Sequence, residues 1–150
     1  MTIIPFPLLH FVLSYPRKTS VSANDGKWHQ IALTWSNKAG SWKLYKDGKL
    51  ATNGTNFNKG VVIPAGGTLN IGHLQEEPGY RYESDWALIG DVSQFNVWSK
   101  ELPLAEIVAL ATSCARGRGN VISWCDVKNV ARGDVTVVTP SFCPNNKDGE

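Results

Sequence analysis

The sequence predicts an all-β fold, an antiparallel β-sandwich with one short α-helix near residues 102–112. Three observations carry that expectation. Several short segments alternate apolar and polar residues with the period of a strand. Turn formers separate them, 14 Gly and 8 Pro in 150 residues. A single stretch, from Leu102 to Thr112, holds a helical period instead. The length is that of one domain, and 42% hydrophobic with 19% charged residues is a globular balance.

The apolar run from Ile3 to Leu13 is broken by Pro5, Pro7 and His10. It lacks a basic leader and a small-residue cleavage site, so it reads as an interrupted first strand or an artificial start. From His29 to Trp35, Ile31, Leu33 and Trp35 fall on one face and Gln30, Ala32 and Thr34 on the other. After a turn at Ser36–Gly40, Trp42 and Leu44 continue the apolar face. Asp47-Gly48 suits a two-residue type I′ turn, which needs positive φ at both positions. Leu50 and Ala51 begin the return strand, and Thr52 to Gly60 reads as a polar loop. Val61–Ile63 and Thr68–Ile71 flank a Pro-Ala-Gly-Gly turn as two short strands.

The stretch His73–Asp85 has no period and reads as a long loop. Trp86–Ile89 and Val92–Trp98 read as buried strands. In the helix, Leu104, Ile107, Val108 and Ala111 share a face, and Pro103 suits the first turn. Val121–Trp124 and Val135–Val138 are the last predicted strands. The tryptophans at alternating positions 35, 42 and 98 belong to the core, whereas Trp86 opens the strand leaving the long loop.

A net charge of +2 gives no electrostatic case for nucleic acid. No apolar run approaches the roughly 18 residues of a membrane span. Charge is nevertheless uneven: residues 1–60 carry a net +6, and residues 61–100 a net −3. Glu76, Glu77, Glu83 and Asp85, with Gln75, concentrate oxygen donors in the long loop. Such a cluster suits calcium, which takes about six to eight oxygen ligands, or is simply a solvated acidic loop.

Cys114, Cys125 and Cys143 lack CxxC spacing and nearby His, which argues against zinc. One disulfide with a cysteine left over suits an oxidising compartment, and three thiols a reducing one. Asn53-Gly54-Thr55 is an N-glycosylation sequon. His10, His29 and His73 sit in no catalytic motif, and Cys125 would need His and Asn or Asp partners brought by the fold. Glu76 and Glu83 lack the flanking aromatic pattern of a glycosidase. No catalytic residue is assigned, and no enzyme is expected.

Trp28-His29-Gln30-Ile31-Ala32-Leu33-Thr34-Trp35, followed by Gly40, Trp42, Tyr45 and Asp47-Gly48, resembles the Trp-His hairpin of pentraxin domains. The resemblance continues through Pro64–Leu69 and Ile71-Gly72, then Leu88–Trp98, Ile107, Gly119–Ile122 and Trp124. It covers residues 24–143, leaving 1–23 as an irregular or truncated leader and 144–150 as a tail. Gly90–Trp98 is most similar to neuronal-type pentraxins, and the cysteine placement to pentraxin modules of multidomain proteins with sushi repeats.

The resemblance implies a secreted, lectin-like jelly roll that binds phosphorylated or carbohydrate ligands through calcium and often assembles as a homo-oligomer. Gln75, Glu76 and Glu83 match family ligand positions, while Leu74 and Trp86 replace a carboxylate and an amide. The implied site is therefore weakened, with Glu77 and Asp85 as substitute donors. The resemblance also implies a Cys114–Cys143 disulfide, with Ala32 at another family cysteine position. Family domains carry several strands ahead of the Trp-His hairpin, so the chain corresponds to the C-terminal two-thirds of the domain. The functional expectation is an extracellular recognition module for a glycan, a phosphorylated small ligand or a protein. The alternative is a metal-independent adhesion or assembly module of a larger extracellular protein.

Overall fold

The structure is a computed structural model that describes residues 19–66, 69, 71–72, 88–112, 117–127, 130–133 and 135–138. Its centre is a three-stranded antiparallel sheet in the order β1-β2-β3, with β1 at Ile31–Ser36, β2 at Ser41–Lys46 and β3 at Lys49–Gly54. The register sets Leu33 opposite Leu44 and Trp35 opposite Trp42 on one face. Ala32 lies opposite Tyr45 on the other. Leu44 and Tyr45 are consecutive and both buried. Consecutive strand residues point to opposite faces, so both faces of β2 are covered, as in a sandwich interior. Thr34, on the face expected to be polar, is buried too.

Asp47 and Gly48 both take positive φ, 52° and 74°, and the Lys46–Lys49 pair closes the expected two-residue turn. The return strand runs on to Gly54, beyond the expected loop start at Thr52, with an irregularity opposite Leu44/Tyr45. After β3 the chain wraps the β1–β2 turn. Asn56 and Phe57 amides donate to Ala39 and Gly40, and the Trp35 indole N–H donates to the Phe57 carbonyl at 2.9 Å.

Helix α1 spans Leu104–Thr112, two residues shorter at its start than the periodic stretch. The Pro103 carbonyl accepts from the Glu106 and Ile107 amides, which places Pro103 just outside the first turn. Ile107 is 1% exposed, whereas Leu104 and Val108 on the same stripe remain exposed. The β2–β3 turn sits against this helix: a Cβ at Gly48 would stand 3.3 Å from both Val108 Cα and Ala111 Cβ.

Four expected strands do not form as such. Residues 61–63 form no strand, and within 92–98 pairing is reduced to isolated bridges, of which Val97 pairs with Ile122. Gln94 at φ 58° interrupts the extended run there. Trp124, expected to end a strand, opens the short helix α2, Trp124–Val127. The Ser123 hydroxyl and amide both donate to Asp126 Oδ2, at 2.5 and 3.2 Å, and cap that helix. Val135–Val138 are exposed and unpaired with any strand among the described residues.

Candidate functional site

The acidic segment expected to form a long loop is bracketed by a backbone hydrogen bond between its described neighbours. The Leu88 amide donates to the Gly72 carbonyl at 2.7 Å, which brings the residues on either side of 73–87 together. Gln75, Glu76, Glu77, Glu83 and Asp85 all lie in that segment, outside the described residues. Beside the stem, Ile71 and Ile89 are exposed, Ile89 at 86%. Among the described residues no group of three or more His, Cys, Asp or Glu side chains could hold a metal.

Downstream of the stem, Asn96 fastens two segments together. Its Oδ1 accepts from the Gly119 amide at 3.0 Å and from the Trp124 amide at 3.3 Å, while its Nδ2 donates to the Gln94 carbonyl. Asn120 repeats the arrangement with the Ser99 amide and hydroxyl. These side chains replace the ladder bonds that the expected strands would have made. They hold the segment leading out of the stem against the region that carries Cys125.

Cys125 is exposed on α2, while Cys114 and Cys143 lie outside the described residues. Asp126, next to Cys125, is held below the usual carboxylate range by the Ser123 hydroxyl and amide. Asn53 is exposed on β3, an edge strand of the sheet, with Thr55 of its sequon exposed beside it.

A polar cluster that sequence reasoning left unassigned lies at the start of the sheet. His29 is buried, with Nδ1 2.7 Å from Asp47 Oδ2 and Nε2 2.9 Å from Asp25 Oδ1. Asp47 Oδ1 also accepts from the Gln30 amide at 2.9 Å. Both ring nitrogens thus face carboxylates, which leaves neither for a hydroxyl or thiol nucleophile. Asp25 and Asp47 flank a hairpin in sequence and meet only through its register, so no local motif announces them.

The Pentaxin family model matches residues 10–140. A rat "Sushi, von Willebrand factor type A, EGF and pentraxin domain-containing protein 1" is 39% identical over 125 residues, 81% of this chain and 4% of that protein. Human "Neuronal pentraxin-2" is 38% identical over 103 residues, 69% of this chain and 24% of that protein. Among solved structures, a native heptameric SAP-like pentraxin from Limulus polyphemus superimposes with a TM-score of 0.64 at 32% identity. That match covers 73% of this chain and 51% of the other. The chain therefore spans a small part of these curated relatives and about half of the solved one, and the antiparallel β-sandwich is the fold they share.

Proposed function

The chain belongs to the pentraxin family, and on that premise we propose that it is an extracellular recognition module with a weakened calcium site. The site is formed by Gln75, Glu76 and Glu83, with Glu77 or Asp85 as substitute donors. The observation that carries this reading is the Gly72–Leu88 backbone bond, which gathers the ends of the one strongly acidic segment into a stem. Carboxylate and carbonyl oxygens suit a hard cation, and fewer of them lower the affinity. Bound calcium would supply the positive charge that bridges a phosphorylated ligand or a sugar. The folded unit is residues 24–143, and its homo-oligomeric assembly and an N-glycan at Asn53 belong to the same reading. Catalysis forms no part of it.

Thermal melts of the whole chain in excess calcium and in excess chelator test this reading. At a hundredfold excess over Kd, calcium stabilises the native state by about 2.7 kcal/mol, a clear rise in midpoint for one domain. Replacing Glu76 and Glu83 by alanine removes the rise. Equal midpoints in calcium and chelator, with a cooperative transition, overturn the metal reading.

That result favours a second reading, metal-independent adhesion or assembly through protein contacts. Exposed apolar side chains support it: Ile71 and Ile89 beside the stem, and Val62 and Ile63 before it. No helix of the described residues is long and apolar enough to cross a membrane.

A further inference from the structure

We propose that His29 is a proton-operated clamp, its imidazolium tying the segment before the sheet, through Asp25, to the β2–β3 turn, through Asp47. The geometry requires two donors. Ionised carboxylates only accept hydrogen bonds, and neutral imidazole carries a single N–H. With Asp47 at 2.7 Å from one nitrogen and Asp25 at 2.9 Å from the other, a neutral ring would set a lone pair against a carboxylate on one side. The doubly protonated ring satisfies both contacts, and each is then charge-assisted.

The surrounding groups support that charge state. Burial pulls His29 toward the neutral form, and Lys46 opposes the proton as well. The hydrogen bonds to Asp47 and Asp25 and the Asp47 charge outweigh them and raise the pKa above the ordinary 6.5. Asp25 is correspondingly lowered, first by its bond to His29, with the Lys27 amide and the Lys46 charge adding to it. These are the charged groups facing the ring from the preceding segment and from the end of β2.

The two sides of the clamp are unequal. Asp47 is fixed within the I′ turn, where its other oxygen accepts from the Gln30 amide and its own amide donates to the Gln30 carbonyl at 2.8 Å. Asp25 lies on an irregular segment, where it accepts locally from the Lys27 amide at 3.1 Å; Lys46 Nζ of β2 donates to the Ser22 carbonyl of the same segment at 2.7 Å. Loss of one proton therefore leaves Nδ1–H on Asp47 and frees Asp25. A raised folded pKa means that the clamp's stabilisation is fully present below 6.5 and is lost as pH rises through the folded value. The segment 22–27 is fastened in mildly acidic solution and released as pH rises through the folded value.

The experiment is an imidazole ¹H–¹⁵N titration of the whole chain, with amide exchange measured in parallel. The expected result is protonation of both His29 nitrogens at pH 6, a midpoint above 6.5 and a neutral form protonated on Nδ1. Between 6.5 and that midpoint, protection of the Lys27 amide falls by up to about tenfold per pH unit beyond the intrinsic rise, as release of one proton demands, and the extra fall levels off above it. Asp25→Asn lowers the midpoint and removes that dependence. A singly protonated ring at pH 6, or exchange at Lys27 that follows the intrinsic rate alone, overturns the clamp. Both readings come from the unsubstituted protein, so a variant that fails to fold leaves the test intact.

Discussion

At Gly54 the absence of a side chain is a packing requirement. The Trp42 indole lies against it, and a Cβ there would stand 2.7 Å from Nε1 and 2.9 Å from two ring carbons. The same Nε1 is buried without a hydrogen-bond partner among the described residues. The ring is thus held by contact alone, between the Trp35 position across the pair and the β3 backbone. Gly54→Ala forces the indole off its seat, and overpacking of this kind costs about 1–3 kcal/mol. Urea unfolding should show that loss as a lower midpoint with an unchanged slope. An unchanged midpoint would mean that the indole moves aside without loss. His29 is a second case in which one residue's surroundings decide its chemistry. Its burial alone would lower the pKa of the ring, and two acceptors reverse that direction.

At the scale of elements, the hairpin and α1 meet at the Asp47-Gly48 turn. Gly48→Ala places an L-residue at φ 74°, which costs about 1–2 kcal/mol, and brings its Cβ against the Val108 backbone. Hydrogen exchange should therefore report lost protection in β2, β3 and α1 together. Loss confined to the hairpin would show that the turn and the helix do not stabilise each other. This turn, β1, β2 and the helix were legible because each writes its pattern locally: alternation, an Asp-Gly pair and a helical stripe. The end of β3 was not, because Thr52 and Asn53 are polar and gain their strand geometry from the β2 backbone. The Val92–Trp98 run misled for the opposite reason. Its side chains suit a strand, but Gln94 at positive φ and the Asn96 hydrogen bonds divert the backbone. At Ser123 the signal was present, since Ser-Trp-Cys-Asp carries a helix cap three residues before its carboxylate.

At the scale of the whole molecule, the acidic segment is legible from charge alone, whereas the backbone bond that brackets it is not. A backbone bond between Gly72 and Leu88 leaves no trace in side-chain chemistry. The His29 clamp was hidden likewise, since Asp25 and Asp47 lie on either side of β1 and β2 in sequence. Among the described residues, Ala23, Leu44, Tyr45 and Ile107 are buried apolar residues, while Val62, Ile63, Ile89 and Val121 are exposed. A covalent constraint on the unfolded state adds stability to a single domain of this size. The Cys114–Cys143 disulfide implied by the resemblance to pentraxins is such a constraint, closing the stretch that contains the Asn120 and Ser123–Asp126 contacts. Closing a loop of that length stabilises the native state by about 2–4 kcal/mol. A non-reducing peptide map of the chain folded under oxidising conditions should contain a Cys114–Cys143 crosslink. Reduction should then lower the melting midpoint by several degrees, as expected for a loss of this size in one domain. A map that joins Cys125 to either of the others would reject the pairing, and a midpoint indifferent to reduction would show that the crosslink does not constrain the fold.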